Sequence, residues 1–582
     1  TRHREMNTRL MKIYEDLTFK AAKDNDIKRE NANIDGDTAM GTMLKYGSEG
    51  AKHFYESYVL NPAHSEAHRN GDIHIHDLDF YTLTTTCCQI DLIKLFHDGF
   101  STGHGVLREP NDIASYASLA CIAIQSNQND QHGGQSIANF DYGLAPGVAK
   151  TYKKRYRSNL TSLIEVMDCA AHAKKTKEIF QTLTAENLIP TLDGSQAYTE
   201  REKELLLEAG VPEEILDKIQ SFSAKKATEE TDKATYQAME ALLHNLNTMH
   251  SRAGAQTPFS SINYGMDTST EGRMVMKNML LVTEAGLGNG ETAIFPIQIF
   301  RVKDGVNFNP GEPNYDLFKL SCRVSAKRLF PNFSFQDAPF NLQYYKEGHP
   351  ETEIAYMGCR TRVIGNVNDP EREITYGRGN LSFTSINLPR IAYLSQTPEE
   401  FYERLDHMMD IAARSLKVKR TVITKLMDAG LYPYTKYYLG TFDNHFSTIG
   451  LVGMNEACLN AQWLRADMTQ EPAQAFTKDV LNHMRERLMD YQEQYGDLYN
   501  LEATPAESTT YRFAKHDKEQ FPDIITANEQ GKPYYTNSSH LPVGFTDDIF
   551  SALDVQDELQ TLYTSGTVFH AFLGEKLPDW KG

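Results

Sequence analysis

The sequence predicts a single α/β architecture, and three observations carry that prediction. Short apolar runs such as Ile294-Phe295-Pro296-Ile297-Gln298-Ile299-Phe300 and Ser447-Thr448-Ile449-Gly450-Leu451-Val452-Gly453 read as buried strands. Long amphipathic stretches, about 396–428 and 473–495, read as helices that separate further strands. This alternation continues across all 582 residues with no internal repeat or low-complexity tract. Such a pattern favours one α/β assembly over a string of small domains.

In chain order, residues 5–23 have the stripe of an amphipathic helix, carried by Leu10, Ile13, Tyr14, Leu17 and Ala21. Asn31-Ala32-Asn33 interrupts it, and a second helix is expected from about Thr38 to Tyr58. Gly71-Asp72-Ile73-His74-Ile75-His76-Asp77-Leu78-Asp79 alternates strictly, as a strand does. Tyr81 to Leu92 is expected to stay extended or turned and then to enter a helix. Residues 128–150 are rich in Gly, Gln and Asn around His132-Gly133-Gly134-Gln135 and read as a loop region. Residues 151–250 read as mostly helical, with 191–235 a solvated helical insertion broken at Pro190, Gly194 and Pro212.

Composition narrows the function classes. The net charge is -19, from 78 acidic and 59 basic residues, which leaves no electrostatic footprint for a nucleic-acid backbone. A nucleotide ligand needs only a few local groups and stays possible. No apolar run reaches the roughly 18 residues of a membrane span, and Thr1-Arg2-His3-Arg4 leads into a charged helical pattern, so no signal peptide is expected. The seven cysteines (Cys87, Cys88, Cys121, Cys169, Cys322, Cys359 and Cys458) are few, odd in number and without a CxxC pair. A disulfide framework and a zinc ribbon are therefore not expected, and a reducing cytoplasm is the default.

Several motifs invite chemistry, each beside a plainer reading. Ala355-Tyr356-Met357-Gly358-Cys359-Arg360 places a thiol beside glycine. It precedes a strand-like stretch, Gly379-Asn380-Leu381-Ser382-Phe383-Thr384-Ser385-Ile386-Asn387-Leu388-Pro389-Arg390, so Cys359 is either a thiol held in a cleft or a small core residue. His74 and His76 share one face of a strand and could meet a metal with Asp77 or Asp79, or simply hydrogen-bond at the wall of a site. Cys87 and Cys88 point to opposite faces, so at most one of them faces a given cleft. Glu502-Ala503-Thr504-Pro505-Ala506-Glu507-Ser508 reads as a capping box, with Thr504 the N-cap, Pro505 first in the helix and Glu507 three residues on. The free N–H groups of that turn could also hold phosphate. The Gly133-Gly134 loop and Gln256-Thr257-Pro258-Phe259 are weak signals alone, with no GxGxxG or Walker A pattern beside them.

Taken together and in order, these motifs resemble the catalytic subunit of the anaerobic, class III ribonucleoside-triphosphate reductases, a branch of the glycyl-radical enzymes. The matching residues are Asn31-Ala32-Asn33, Ile73 through Asp79, Cys87-Cys88, His132-Gly133-Gly134 with Ala138-Asn139, and Gln256-Thr257-Pro258-Phe259. They continue with Met357-Gly358-Cys359-Arg360, Asn380-Leu381, Asn387-Leu388-Pro389-Arg390, Thr504-Pro505-Ala506-Glu507 and Tyr535-Thr536-Asn537-Ser538.

The resemblance implies a ten-stranded α/β barrel of two half-barrels, surrounded by helices, with a finger loop through its centre. It implies a helical segment over 1–70 packed on a catalytic barrel over 71–582. Cys359 matches the thiyl-radical residue of the finger, and Cys87 the cysteine on the first barrel strand, on the other side of the ribose. Asn380 stands where thioredoxin-reduced relatives carry a second redox cysteine, which implies formate as reductant. Cys359 would take the 3′ hydrogen and later return it, while Cys87 would protonate the departing 2′ hydroxyl and formate would leave as CO2. Both thiols suit a buried, unactivated setting.

For substrate binding, the resemblance implies Met357, the turn Thr504, Pro505, Ala506, Glu507 and Ser508 for the triphosphate, and His132, Gly133 and Gly134. It also implies Mg with the nucleotides, deoxynucleotide and ATP effectors, a radical-SAM activating enzyme as partner and a homodimer with a specificity site near the helix after Ile90. The family's four-cysteine zinc site and its glycyl-radical loop, an Arg-x-x-Gly-Tyr pattern, have no match in residues ending Asp579-Trp580-Lys581-Gly582. They are expected in a C-terminal segment absent here, as is any N-terminal ATP-cone, and no metal site is expected within this chain. The alternatives are a glycyl-radical lyase or dehydratase on the same barrel, a metal-dependent hydrolase built on His74 and His76, and a non-catalytic nucleotide-binding regulator.

Overall fold

The computed structural model describes residues 2–19, 38–168, 170–251, 256–358, 361–363, 366, 371, 374 and 377–571. Asn31-Ala32-Asn33, Ala21, Cys169, Cys359, Arg360 and the stretch 579–582 lie outside the described residues.

Nine strands form one sheet among the described residues. They are β1 (Ile73–Ile75), β2 (Cys87–Ile90), β3 (Gln135–Ile137), β4 (Ser260–Tyr264), β5 (Ile297–Val302), β6 (Asn332–Phe335), β7 (Gly379–Asn387), β8 (His445–Val452) and β9 (Leu498–Glu502). The sheet divides into two parallel halves. In one, β2, β3, β4, β5 and β6 run side by side in chain order. In the other, β7, β8 and β9 run parallel, with β1 antiparallel against the far half of β7. The halves meet antiparallel at β2 and β7, where Cys87 pairs with Asn380 and Cys88 with Gly379.

The period of two explains what each face carries. One face of β2–β5 bears Ile90, Ile137, Ile262, Tyr264, Phe300 and Val302, which form a core with the helices Ile113–Asn127, Phe140–Asp168, Glu213–Thr248 and Thr270–Ala285. The corresponding face of β7–β9 bears Ile386, Ile449, Leu451, Tyr499 and Leu501, packed with the helices Pro398–Asp428 and Glu471–Tyr495. Helices covering parallel strands account for the unbroken burial of β4 and β8. The opposite face is different in kind: it presents Cys87, Gln89, Ser136, Ser261, Asn263 and Arg301 from one half and Thr448, Asn500 and Glu502 from the other, all buried. A buried face rich in polar side chains must be satisfied by something placed against it.

That something is a hairpin of Tyr356–Met357 against Thr361–Arg362. Gln89 Nε2 donates to Ala355 O at 3.3 Å, Ser136 Oγ to Tyr356 O at 2.8 Å and Arg301 Nε to Ile354 O at 2.8 Å. Asn263 Oδ1 accepts from Tyr356 N at 2.9 Å, and Ser261 Oγ accepts from Gly358 N at 3.1 Å. From the other half, Glu502 Oε1 accepts from Thr361 Oγ1 at 3.1 Å. One small apolar cluster joins Cys87 and Met357 to Phe446 of β8 and Leu498 of β9. Strands from both halves thus close on the same hairpin.

The α/β class is as the sequence predicts, while several element boundaries differ. The strand expected over 71–79 is limited to β1, because Asp77 takes a left-handed backbone (φ 50°) and Leu78–Phe80 forms a 3-10 turn. The stretch expected to run extended to Arg390 ends at Asn387, whose side chain caps a helix Leu388–Leu394 with Pro389 in its first turn. The loop expected over 128–150 contains β3 and the start of the helix at Phe140. The helix expected over 38–58 is Ala39–Phe54, N-capped by Thr38 and closed by a π turn, Tyr55–Val59. Within 191–235 stand the helix Gln196–Glu208 and the first part of Glu213–Thr248, sharing an apolar cluster with Tyr152, Tyr156 and Leu160.

Candidate active site

Cys87 opens β2 on the polar face, 7% exposed, while Cys88 enters the outer core with Asn127 Nδ2 donating to its Sγ at 3.1 Å. The adjacent thiols thus part to opposite faces, as alternation requires. Burial pushes the Cys87 thiol well above its ordinary value, with the Gly134 amide hydrogen-bonded to it as a partial counterweight. It is therefore a protonated thiol at neutral pH, suited to hydrogen transfer and unsuited to acting as a thiolate nucleophile.

Asn380, its cross-strand partner, donates from Nδ2 to Thr448 Oγ1 at 2.6 Å, and Thr448 Oγ1 donates to Asn500 Oδ1 at 2.5 Å. This relay across β7, β8 and β9 fixes the amide, and Oδ1 of Asn380 has no hydrogen-bond partner although buried. Cys359 lies outside the described residues, but both of its flanks are anchored. Gly358 sits at φ 59°, and a Cβ there would stand 3.2 Å from Phe259 Cε1. A Cβ on Gly134 would stand 3.1 Å from Phe259 Cδ1 and 3.6 Å from Gly358 Cα. Glycine at 134 and 358 therefore lets the segment that touches Cys87 abut the residue before Cys359. The motif residue Phe259 is the wedge between them. Met357 is 1% exposed and packs against Cys87, so the sequence-predicted substrate contact is a packing neighbour of the thiol.

The turn 503–508 follows the end of β9. Thr504 is 1% exposed, and its Oγ1 lies 3.2 Å from Ser385 Oγ, which in turn lies 2.7 Å from His76 Nε2. The predicted capping box does not form: the helix runs Glu507–Gln520 with Ala506 as N-cap and no side-chain cap bond. Thr504 stands two residues too early, drawn inward by Ser385. The side chain of Glu507 lies outside what is described. The turn's first N–H groups are therefore without the side-chain acceptor the sequence suggested.

His74 and His76 are held in place by protein partners. His74 Nδ1 lies 3.2 Å from Arg512 Nη1, and the two imidazoles stand 4.7 Å apart, edge to face. Burial first, with neighbouring His and Arg charges, pushes His74 well below its ordinary value. Burial also lowers His76 to about 4. A guanidinium beside one imidazole and a hydroxyl beside the other speak against a divalent metal between them. His132 lies on the other side of Asp77, its ring stacked on Phe80 at 4.8 Å with 1° between planes.

Three residues that pattern reading missed complete the site. Glu502, fully buried at the end of β9, accepts from Thr361 Oγ1 and, at 2.8 Å, from Ser565 Oγ, and its charge reaches Cys87. Asp517 accepts from Arg390 Nε at 2.6 Å, Asn387 Nδ2 at 2.9 Å and Tyr535 OH at 2.6 Å. It ties the Asn387–Arg390 and Tyr535 motifs to the helix that begins at the turn. Lys419 is fully buried near Asp77 and Asp79. Only the glutamate carried a local signal, since it precedes the Thr-Pro turn.

A family model described as anaerobic ribonucleoside-triphosphate reductase matches residues 30–582. The chain is 27% identical over 585 residues to the anaerobic ribonucleoside-triphosphate reductase of Haemophilus influenzae, covering 97% of this chain and 73% of that protein. It is 26% identical over 599 residues to the phage T4 enzyme of the same name, covering 98% and 84%. Among solved structures, the anaerobic ribonucleotide reductase of Thermotoga maritima in complex with dATP and CTP superposes with a TM-score of 0.61 at 15% identity, covering 96% of this chain and 84% of that one. At that identity the likeness speaks for the fold. With the family match running across nearly the whole sequence, this chain belongs to the anaerobic ribonucleoside-triphosphate reductases.

Proposed function

We propose that this chain reduces ribonucleoside triphosphates at C2′ with formate as reductant, using Cys359 and Cys87 on opposite sides of the ribose. Anaerobic ribonucleotide reduction is the activity of the family; the reductant and the residue roles are the proposal. The observation that carries it is the pairing of Cys87 with Asn380, rather than with a second cysteine, at the seam of the two half-sheets. Among the described residues Cys87 is a free thiol facing an amide, which favours a diffusible two-electron donor. The nearest cysteine in sequence, Cys88, is buried in a separate core.

The polar face meeting one hairpin from both halves supports the reading of the sheet as a barrel around a finger. Cys359, the residue after Gly358 in sequence, takes the 3′ hydrogen and returns it. Cys87, kept as a thiol by burial, protonates the leaving 2′ hydroxyl. Asn380, fixed by Thr448, offers its unpaired Oδ1 to the sugar or to formate. The uncapped first turn at Ala506–Ser508, with Thr504 and Pro505 leading into it, holds the triphosphate through its N–H groups. Gly133 and Gly134 let the backbone approach the sugar, and Mg accompanies the nucleotide. The glycyl radical, installed by a radical-SAM enzyme, and a structural zinc belong to the family's C-terminal segment; the radical supplies the oxidising equivalent for Cys359. Cytoplasmic location and a homodimer complete the reading, with deoxynucleotide effectors, which the dATP named in the Thermotoga complex supports.

The test uses the full-length protein activated anaerobically. With labelled formate and a ribonucleoside triphosphate, deoxynucleotide and CO2 form in equal amounts. Deoxynucleotide made without CO2 would assign another reductant.

A further inference from the structure

Reduction of a C2′ hydroxyl by formate consumes a proton: ROH + HCOO⁻ + H⁺ gives RH + CO2 + H2O. The C2′–O bond and the formate C–H bond break, a C2′–H bond forms, the two electrons come from formate, and the hydroxyl leaves as water. A dithiol would bring its own protons, so this requirement rests on the formate reading. Cys87 can give up its proton only once. Set in an apolar cluster with Met357, Phe446 and Leu498, it must be resupplied within each turnover.

Near the approach to β2 stand three groups that packing alone does not explain. Asp77 holds a left-handed backbone, its side chain is 46% accessible, and its charge is within reach of His76, His132 and Lys419. His132, 2% exposed in its side chain, approaches Asp77 Oδ2 with Nε2 at 3.4 Å, too long for a firm hydrogen bond. Both of its ring nitrogens are buried without a hydrogen-bond partner. Lys419 is fully buried in the helix Pro398–Asp428, and its Nζ has no hydrogen-bond partner either. A buried ammonium and buried imidazole nitrogens left unpaired are each unfavourable, as is an aspartate at positive φ. Their concentration in one place marks a site that works rather than one that only packs.

The same segment leads to the thiol. His132 N donates to Thr85 O at 3.2 Å, alongside the approach to β2, and two residues later Gly134 O accepts from Cys88 N at 3.2 Å. The charge of Asp77 also reaches the Cys87 thiol.

We propose that His132 carries the proton consumed in each turnover to the Cys87 side of the site, with Asp77 and Lys419 as its positioning residues. The imidazole accepts a proton at one ring nitrogen and releases one from the other, so it carries no lasting charge. Despite its burial, Asp77 is held below the ordinary carboxylate range, with Lys419 the neighbouring cation in the resting state and His132 adding to it once protonated, and it orients the ring. Burial keeps the resting imidazole neutral despite Asp77 and Asp79, with Lys419 acting in the same sense as burial. The stack on Phe80 fixes the plane of the ring.

The test is His132→Gln in the activated full-length enzyme. We expect kcat to fall on the order of a hundredfold, with KM for nucleotide and formate within about threefold. The solvent deuterium isotope effect on kcat should rise, and added imidazole should restore part of the rate. Asp77→Asn, which leaves the ring stack intact, should lower kcat in the same way. A kcat within about twofold of the wild type in either variant, or a loss confined to KM as for a substrate contact, would overturn the proposal. The two readings separate in the wild-type arm. If CO2 matches deoxynucleotide while His132→Gln is unimpaired, only the proton route fails; if no CO2 forms, the formate reading fails and takes the proton requirement with it.

Discussion

Cys87 and Asn380 face each other across the one antiparallel junction between two parallel half-sheets, the thiol unpaired and the amide locked to Thr448. Cross-strand partners lie about 4.5–5.5 Å apart, a separation that a disulfide spans. Asn380→Cys should therefore form a disulfide with Cys87 on oxidation. Thiol titration should show both thiols lost on oxidation and recovered on reduction. Two free thiols after oxidation would mean that the strand register is wrong.

Gly358→Ala tests the anchoring of the hairpin. A side chain at φ 59° costs about 1–2 kcal/mol, and its Cβ would press on Phe259 at 3.2 Å. The expected outcome is an activity loss larger than the stability loss, since the displaced residue precedes Cys359. Turnover and thermal melts on the same preparation check this.

Asp517→Ala should be a stability mutant. It leaves the Arg390 guanidinium, 4% exposed in its side chain, with Asp72 as its one remaining carboxylate among the described residues, and removes the acceptor of Asn387 and Tyr535. Breaking a buried pair in this way costs about 3–5 kcal/mol. Denaturant unfolding measures it, and Arg390→Met in the same background should recover part of the loss.

Acid should weaken the fold through its buried histidines. Burial lowers His76 to about 4 and His445 to about 3. The unfolded chain therefore binds protons that the folded one refuses, and stability present above pH about 6.5 is lost as pH falls toward those values. Thermal melts between pH 7 and 4 should decline, and His76→Gln should make the decline shallower. A flat profile would mean that these imidazoles are solvated.

The sequence made the α/β class and the long strands legible because β8 and β5 are buried on both faces and read as apolar runs whatever surrounds them. It could not show where β1 stops. His74 and His76 alternate as strand residues do, and only the left-handed Asp77 and the 3-10 turn after it end the pairing. The capping box failed for a similar reason: Thr504 is taken by Ser385, 119 residues away, before it can cap its own helix. Cys87, Asn380 and the turn were recognisable through family likeness. Asp517 and Lys419 were invisible, since their roles depend on partners such as Arg390 and Asp77, which only the fold brings near.

The central claim is that Cys359 abstracts the 3′ hydrogen while Cys87 serves the other side of the ribose. Deoxynucleotide formation by Cys359→Ala in the activated full-length protein tests it most directly. The account predicts that nucleotide binding by calorimetry is retained and that no deoxynucleotide is made. Product formed at a rate near that of the wild type would contradict it.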